Sequence, residues 1–176
     1  MNATTPTSAT NATHASTAMT AAALPATVAW LGYGGLLPFV FLATAIFIDP
    51  DHAPLWGDAL TAYGAIILSF VGALHWGLAM ILPVADTGTE YAAFTPQRRN
   101  ASFVWSVMPA LIAWPALLLA PFMASLLLIS GFVAHYWQDR RLAGWVSLPA
   151  WYLPLRLRLT AVGCCGLACG GLAQFV

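Results

Sequence analysis

The sequence predicts an all-α fold: a polytopic membrane helix bundle with five transmembrane helices. Two observations carry the membrane part. Of 176 residues, 60% are hydrophobic and only 7% charged, with a mean hydropathy of +0.78. A soluble domain usually carries about a quarter charged residues, because it must cover a large wet surface. The third observation sets the span count. The charges fall in short clusters separated by long uncharged stretches. Six basic residues, all arginine, balance six acids, so the basic footprint of a nucleic-acid binder is missing.

Residues 1–23 are rich in Thr, Ala and Ser and are expected to form a disordered tail. The tail has no basic n-region of a signal peptide and no Arg of a mitochondrial presequence, which favours a bacterial inner (plasma) membrane over a mitochondrial one. The first span is expected at about 24–48, with Trp30 and Tyr33 suited to the membrane interface. A short acidic loop with Asp49, Asp51 and Asp58 follows, broken by Pro50 and Pro54. A second span is expected at about 59–83, ended by Pro83, and then a polar loop to Asn100 containing Asp86, Glu90, Arg98 and Arg99.

The stretch from Asn100 to Gln138 decides the topology. Its 39 uncharged residues would reach about 58 Å as one helix, nearly twice the roughly 30 Å hydrocarbon core. It must cross twice, giving spans of about 101–118 and 121–138 with the turn between Pro115 and Pro121. After Asp139, Arg140 and Arg141, the segment 142–155 is too short to cross and is expected at the interface. The last span is expected at about 156–176. With five spans and a cytoplasmic N-terminus, all six arginines lie inside, Asp49, Asp51 and Asp58 lie outside, and the C-terminus is on the opposite side.

Small residues that allow close backbone approach mark helix contacts in lipid. Ala65, Ser69, Ala73 and Gly77 recur every four residues in the second span, and Gly166 and Gly170 repeat the spacing in the last. No Asp, Glu, Lys or Arg is placed deep in any span, which argues against an ion-coupled transporter. That leaves His75 and His135. By helix rise His75 lies about 12 Å from the end of its span and His135 about 6 Å, so their depths differ by about 6 Å.

Ser69, His75, Trp76, His135, Asp139, Trp151, Tyr152 and Arg156 form a candidate polar pocket near the arginine side. It could hold a quinone or lipid headgroup, or the same residues could simply anchor and orient helices. Asp139 could orient His135 four residues earlier, or pair with Arg140, Arg141 or Arg156. Haem ligation by the two histidines is disfavoured by their unequal depth. Cys164, Cys165 and Cys169 have no C-x-x-C spacing or nearby His, so no metal site is expected. No catalytic residues and no resident cofactor are expected. The partners are the lipid bilayer and other membrane proteins.

The stretch Ser69-Phe70-Val71-Gly72-Ala73-Leu74-His75-Trp76-Gly77 is the most distinctive in the chain. With Trp105-Ser106-Val107-Met108-Pro109 and Trp151-Tyr152-Leu153-Pro154-Leu155-Arg156, it resembles the membrane family known as domain of unknown function 3429, whose animal members are called transmembrane protein 69. The resemblance spans about Val28 to Leu172. It implies the membrane fold, supplies no reaction, and nominates Ser69, His75, Trp76, Trp105, Pro109, Trp151, Tyr152 and Arg156 as positions to mutate.

Overall fold

In a computed structural model of the chain, which describes residues 23–81 and 95–175, every regular element is helical. The elements are α1 (Ala26–Gly34), α2 (Leu37–Ile48), a 3-10 turn (Pro50–His52), α3 (Ala53–Ile81), α4 (Pro96–Ala116), α5 (Pro121–Ala143), α6 (Tyr152–Leu172) and a final 3-10 turn (Ala173–Phe175). Among the described residues, three segments are long and apolar enough to cross a membrane: Ala26–Ile48, Pro50–Ile81 and Tyr152–Leu172. The tail before residue 23, Pro83, Asp86 and Glu90 lie outside the described residues.

Several boundaries differ from the expectation, each for a local reason. The first apolar stretch is interrupted between α1 and α2, where Gly34 and Gly35 precede Pro38. Pro38 has no N–H for the carbonyl four residues back, and the Tyr63 hydroxyl donates to the neighbouring Gly35 carbonyl at 2.7 Å. The acidic corner is tighter than expected. The 3-10 turn feeds directly into α3, which starts at Ala53 and takes Asp58 into the helix. Likewise α4 starts at Pro96, so Arg98 and Arg99 are helical. Proline suits a first helical position, and Thr95 caps the end by accepting from the Arg98 backbone N–H at 3.3 Å.

The 142–155 segment is not one interfacial piece. Helix α5 continues through buried Leu142 to Ala143, a turn follows, and α6 begins at Tyr152. Charge spacing misplaced these ends because Asp139 and Arg156 each lie about 6 Å, one helical turn, inside their helices.

The buried face of α3 runs through Gly57, Leu60, Gly64, Leu68, Gly72, His75 and Ala79. The expected Ala65–Ser69–Ala73–Gly77 ridge is not that face. Ala65 is buried, but Ala73 and Gly77 are exposed, and a Cβ at Gly77 would meet nothing within 4 Å. The true face mixes large and small residues, so a search for small residues alone follows a neighbouring row. Leucines fill glycine notches: Leu68 Cδ2 lies 2.6 Å from where a Cβ at Gly131 would sit, and Leu60 occupies the notch at Gly170. Gly166 packs on Phe39. The tightest backbone approach is at Gly72, where a Cβ would stand 2.5 Å from the Ser106 carbonyl and 3.1 Å from the Pro109 ring. Phe39, Leu60, Leu68, Leu128 and Leu167 form the apolar core. The outer surface carries large apolar side chains such as Trp30, Phe41, Ile66, Phe70 and Trp114, as lipid contact requires.

Candidate functional site: a buried carboxylate shared by three helices

Asp139 sits on α5 with no exposed surface, and its oxygens collect donors from two other helices. From α3, His75 Nε2 donates to Oδ1 at 3.0 Å. From α6, Arg156 Nε donates to Oδ2 at 2.7 Å and the Tyr152 hydroxyl to Oδ1 at 3.3 Å. One turn back on α5, His135 Nε2 lies 3.8 Å from Oδ1. Helix α4 enters through Trp105, whose indole N–H donates to His135 Nδ1 at 3.3 Å.

This placement overturns two expectations. The interior of the bundle is not left with histidines alone, because Asp139 at 0% exposure and Arg156 at 7% are buried alongside His75 at 1%. Nor can the two rings differ in depth by as much as the expected offset of about 6 Å. Their ring centroids are 5.0 Å apart, edge to face. By helix rise His135 lies about 12 Å before Ala143, where α5 ends, and His75 about 9 Å before Ile81, where the described part of α3 ends.

Ion pairing makes this burial tolerable. An isolated charge in a low-dielectric interior costs several kcal/mol or more, and pairing with further hydrogen bonds offsets that cost. Asp139 and Arg156 balance each other, and the neutral donors fill the remaining acceptor capacity of the carboxylate. Arg156 also settles the choice among arginines. Arg140 and Arg141 are exposed at the end of α5, and Arg141 stacks on Trp137 at 4.6 Å.

The tautomers follow from the partners. A carboxylate only accepts, so His75 carries its proton on Nε2. Trp105 only donates, so His135 Nδ1 is unprotonated and its proton sits on Nε2, facing Asp139. His75, His135 and Asp139 each offer a ligand atom within 4.8 Å of the others, the spacing of a possible metal site. A cation there would need the lone pair of His135 Nε2, which the Trp105 bond replaces with a proton, and it would face the Arg156 guanidinium. The arrangement therefore favours proton sharing around one carboxylate.

Of the eight candidate pocket residues, the fold brings together His75, His135, Asp139, Tyr152 and Arg156. Trp151 flanks them, its ring 6.3 Å from that of Tyr152. Ser69 stands apart, its hydroxyl turned back to the Ala65 carbonyl at 2.9 Å, and Trp76 is exposed and packs edge-on to Phe103 at 5.0 Å. Trp105 was legible only through the family resemblance.

The family of proteins of unknown function DUF3429 matches residues 24–171. The chain belongs to that family. It is 34% identical over 142 residues to a protein named transmembrane protein 69 from Xenopus tropicalis, a match that covers 78% of this chain and 51% of that protein. The chain thus spans about half the length of this relative. No solved structure matches.

Proposed function

We propose that this DUF3429 member is a five-span protein of the bacterial inner membrane that works without turnover, as a scaffold or subunit holding a protein or lipid. The observation that carries this reading is the closure of the Asp139 cluster. Its charge is balanced internally, its two histidines, Asp139 and Arg156 are at most 7% exposed, and its bonds tie α3, α5 and α6 together. What remains for partners is an apolar outer surface.

The five-span count is supported by α4 and α5. They turn back on each other at Leu117–Ala120, and their 21 and 23 residues reach about 32 and 35 Å, enough for a core of roughly 30 Å. The helix order puts the six arginines at one end of the bundle, which supports a cytoplasmic N-terminus and a C-terminus across the membrane. A C-terminal alkaline phosphatase fusion is expected to be active, and activity of a cytoplasmic reporter fused there instead would refute the topology. Purification in native-lipid nanodiscs should repeatedly bring down the same protein or lipid. Recovery of a bare monomer would refute the holding role.

One observation favours a second reading, a quinone-associated redox subunit. Arg156 Nη2 and Trp151 Nε1 are buried donors without a partner among the described residues, of the kind a quinone oxygen accepts. Stoichiometric quinone in a solvent extract would establish it. Haem is less favoured, because both Nε2 atoms address Asp139 instead of opposite faces of an iron. The transporter reading gains a carboxylate buried in the bundle, Asp139. Under the scaffold reading, His75→Ala leaves uptake of a substrate panel unchanged.

A further inference from the structure

At the other end of the bundle, the tips of α2, α3, α5 and α6 leave a cleft of about 380 Å³, within the size range of small-ligand sites. Its wall includes Ile46, Ala53, Gly57, Pro121 and Gly170, and among the described residues Asp58 is the one charged residue lining it. Gly57 is buried in the wall, yet a Cβ there would meet nothing within 4 Å, so the missing side chain helps to keep the space open.

Three aspartates mark this end, but they are not equivalent. The Asp49 carboxylate already accepts from His52 and Trp56. Asp51 lies in the 3-10 turn, outside the cleft lining. Asp58 has no hydrogen bond or ion pair among the described residues, and it lies beside apolar walls near the helix ends, which the five-span reading sets where a bilayer's headgroups meet its acyl chains.

We propose that this cleft binds a phospholipid with a primary ammonium headgroup, the ammonium on Asp58 and the first part of the lipid along the Gly57–Gly170 wall. This rests on the lipid-holding form of the proposed function and names its site and lipid class. A primary ammonium offers Asp58 a charge-assisted N–H donor, whereas a quaternary ammonium offers charge without a donor. A headgroup without an amine brings its phosphate against the acidic corner.

The test is native mass spectrometry of the full chain after reconstitution in nanodiscs of equal parts phosphatidylethanolamine, phosphatidylcholine and phosphatidylglycerol. Wild type should retain phosphatidylethanolamine over phosphatidylcholine by about two- to fivefold, the scale of an exposed ion pair. Asp58→Asn should erase that preference, and Gly57→Phe should block retention of the lipid. Asp58 is exposed, so its variant tests the site even if Gly57→Phe fails to fold. An unchanged preference in Asp58→Asn, or unchanged retention in a folded Gly57→Phe, overturns the proposal. If lipid stays bound but neither change moves it, this site alone falls. If wild type retains no lipid of any class, the lipid-holding reading falls with it.

Discussion

Asp49 and Asp139 each accept from a histidine, yet they do different things. Asp49 stands at the acidic corner with 38% of its side chain exposed, and its partners His52 and Trp56 are three and seven residues away. Asp139 is sealed, and its partners on other helices are 13 residues away at Tyr152, 17 at Arg156 and 64 at His75. The first is a local clamp on a turn. The second registers three helices against one another, and because water cannot replace a lost partner there, each of its bonds matters more to the fold.

The largest effect should come from Asp139→Asn, which leaves Arg156 buried without a counter-charge. A loss of about 3–5 kcal/mol is expected, read as a lowered melting temperature in detergent by tryptophan fluorescence. Asp139→Asn combined with Arg156→Gln should cost less than the sum of the single changes, with a coupling of about 1–3 kcal/mol. Strict additivity would mean that the pair does not act as a unit.

Next is Gly72→Ala, which drives a methyl against the Ser106 carbonyl and the Pro109 ring. About 1–3 kcal/mol of destabilisation is expected in the same melt, and a neutral result would show that α3 and α4 can separate without cost. Trp105→Phe keeps most of the ring beside His135 but removes its donor, for about 1 kcal/mol. It also frees the His135 tautomer, so the imidazole nitrogen shifts in a 15N NMR spectrum should change.

The smallest effect belongs to Asp49. The hydrogen bond from His52, then that from Trp56, holds its carboxyl below the ordinary value. A depressed carboxyl stabilises the fold above the ordinary carboxylate range, roughly pH 4, and that contribution disappears as pH falls through the folded value. Acidification should therefore release Trp56, seen as a change in its indole N–H resonance, and Asp49→Asn should remove the transition. An equally large loss of global stability from Asp49→Asn and Asp139→Asn would erase the contrast between the two sites.

Much of the fold was legible because lipid solvent leaves a one-dimensional trace. Uncharged stretches mark apolar helices, and the length of 100–138 demands a turn. The register of those helices left a poorer trace. Asp139 and Arg156 looked like loop markers because charge spacing cannot tell a residue just outside a helix from one a turn inside it whose partner lies on another helix. The Ala73 and Gly77 row failed for a related reason. A notch is defined by the leucine that fills it, and the leucines at Gly131 and Gly170 come from a different helix.

The sequence by itself determined the solvent of this protein, its all-α class, its membership of DUF3429 and the residue types gathered near its arginine end. Only the tertiary structure decided that His75, His135, Asp139, Tyr152 and Arg156 converge while Ser69 and Trp76 do not. The physical reason is that hydropathy sums over neighbours in the chain, whereas a buried charge is made tolerable by neighbours in space, and for Asp139 the farthest of these is 64 residues away.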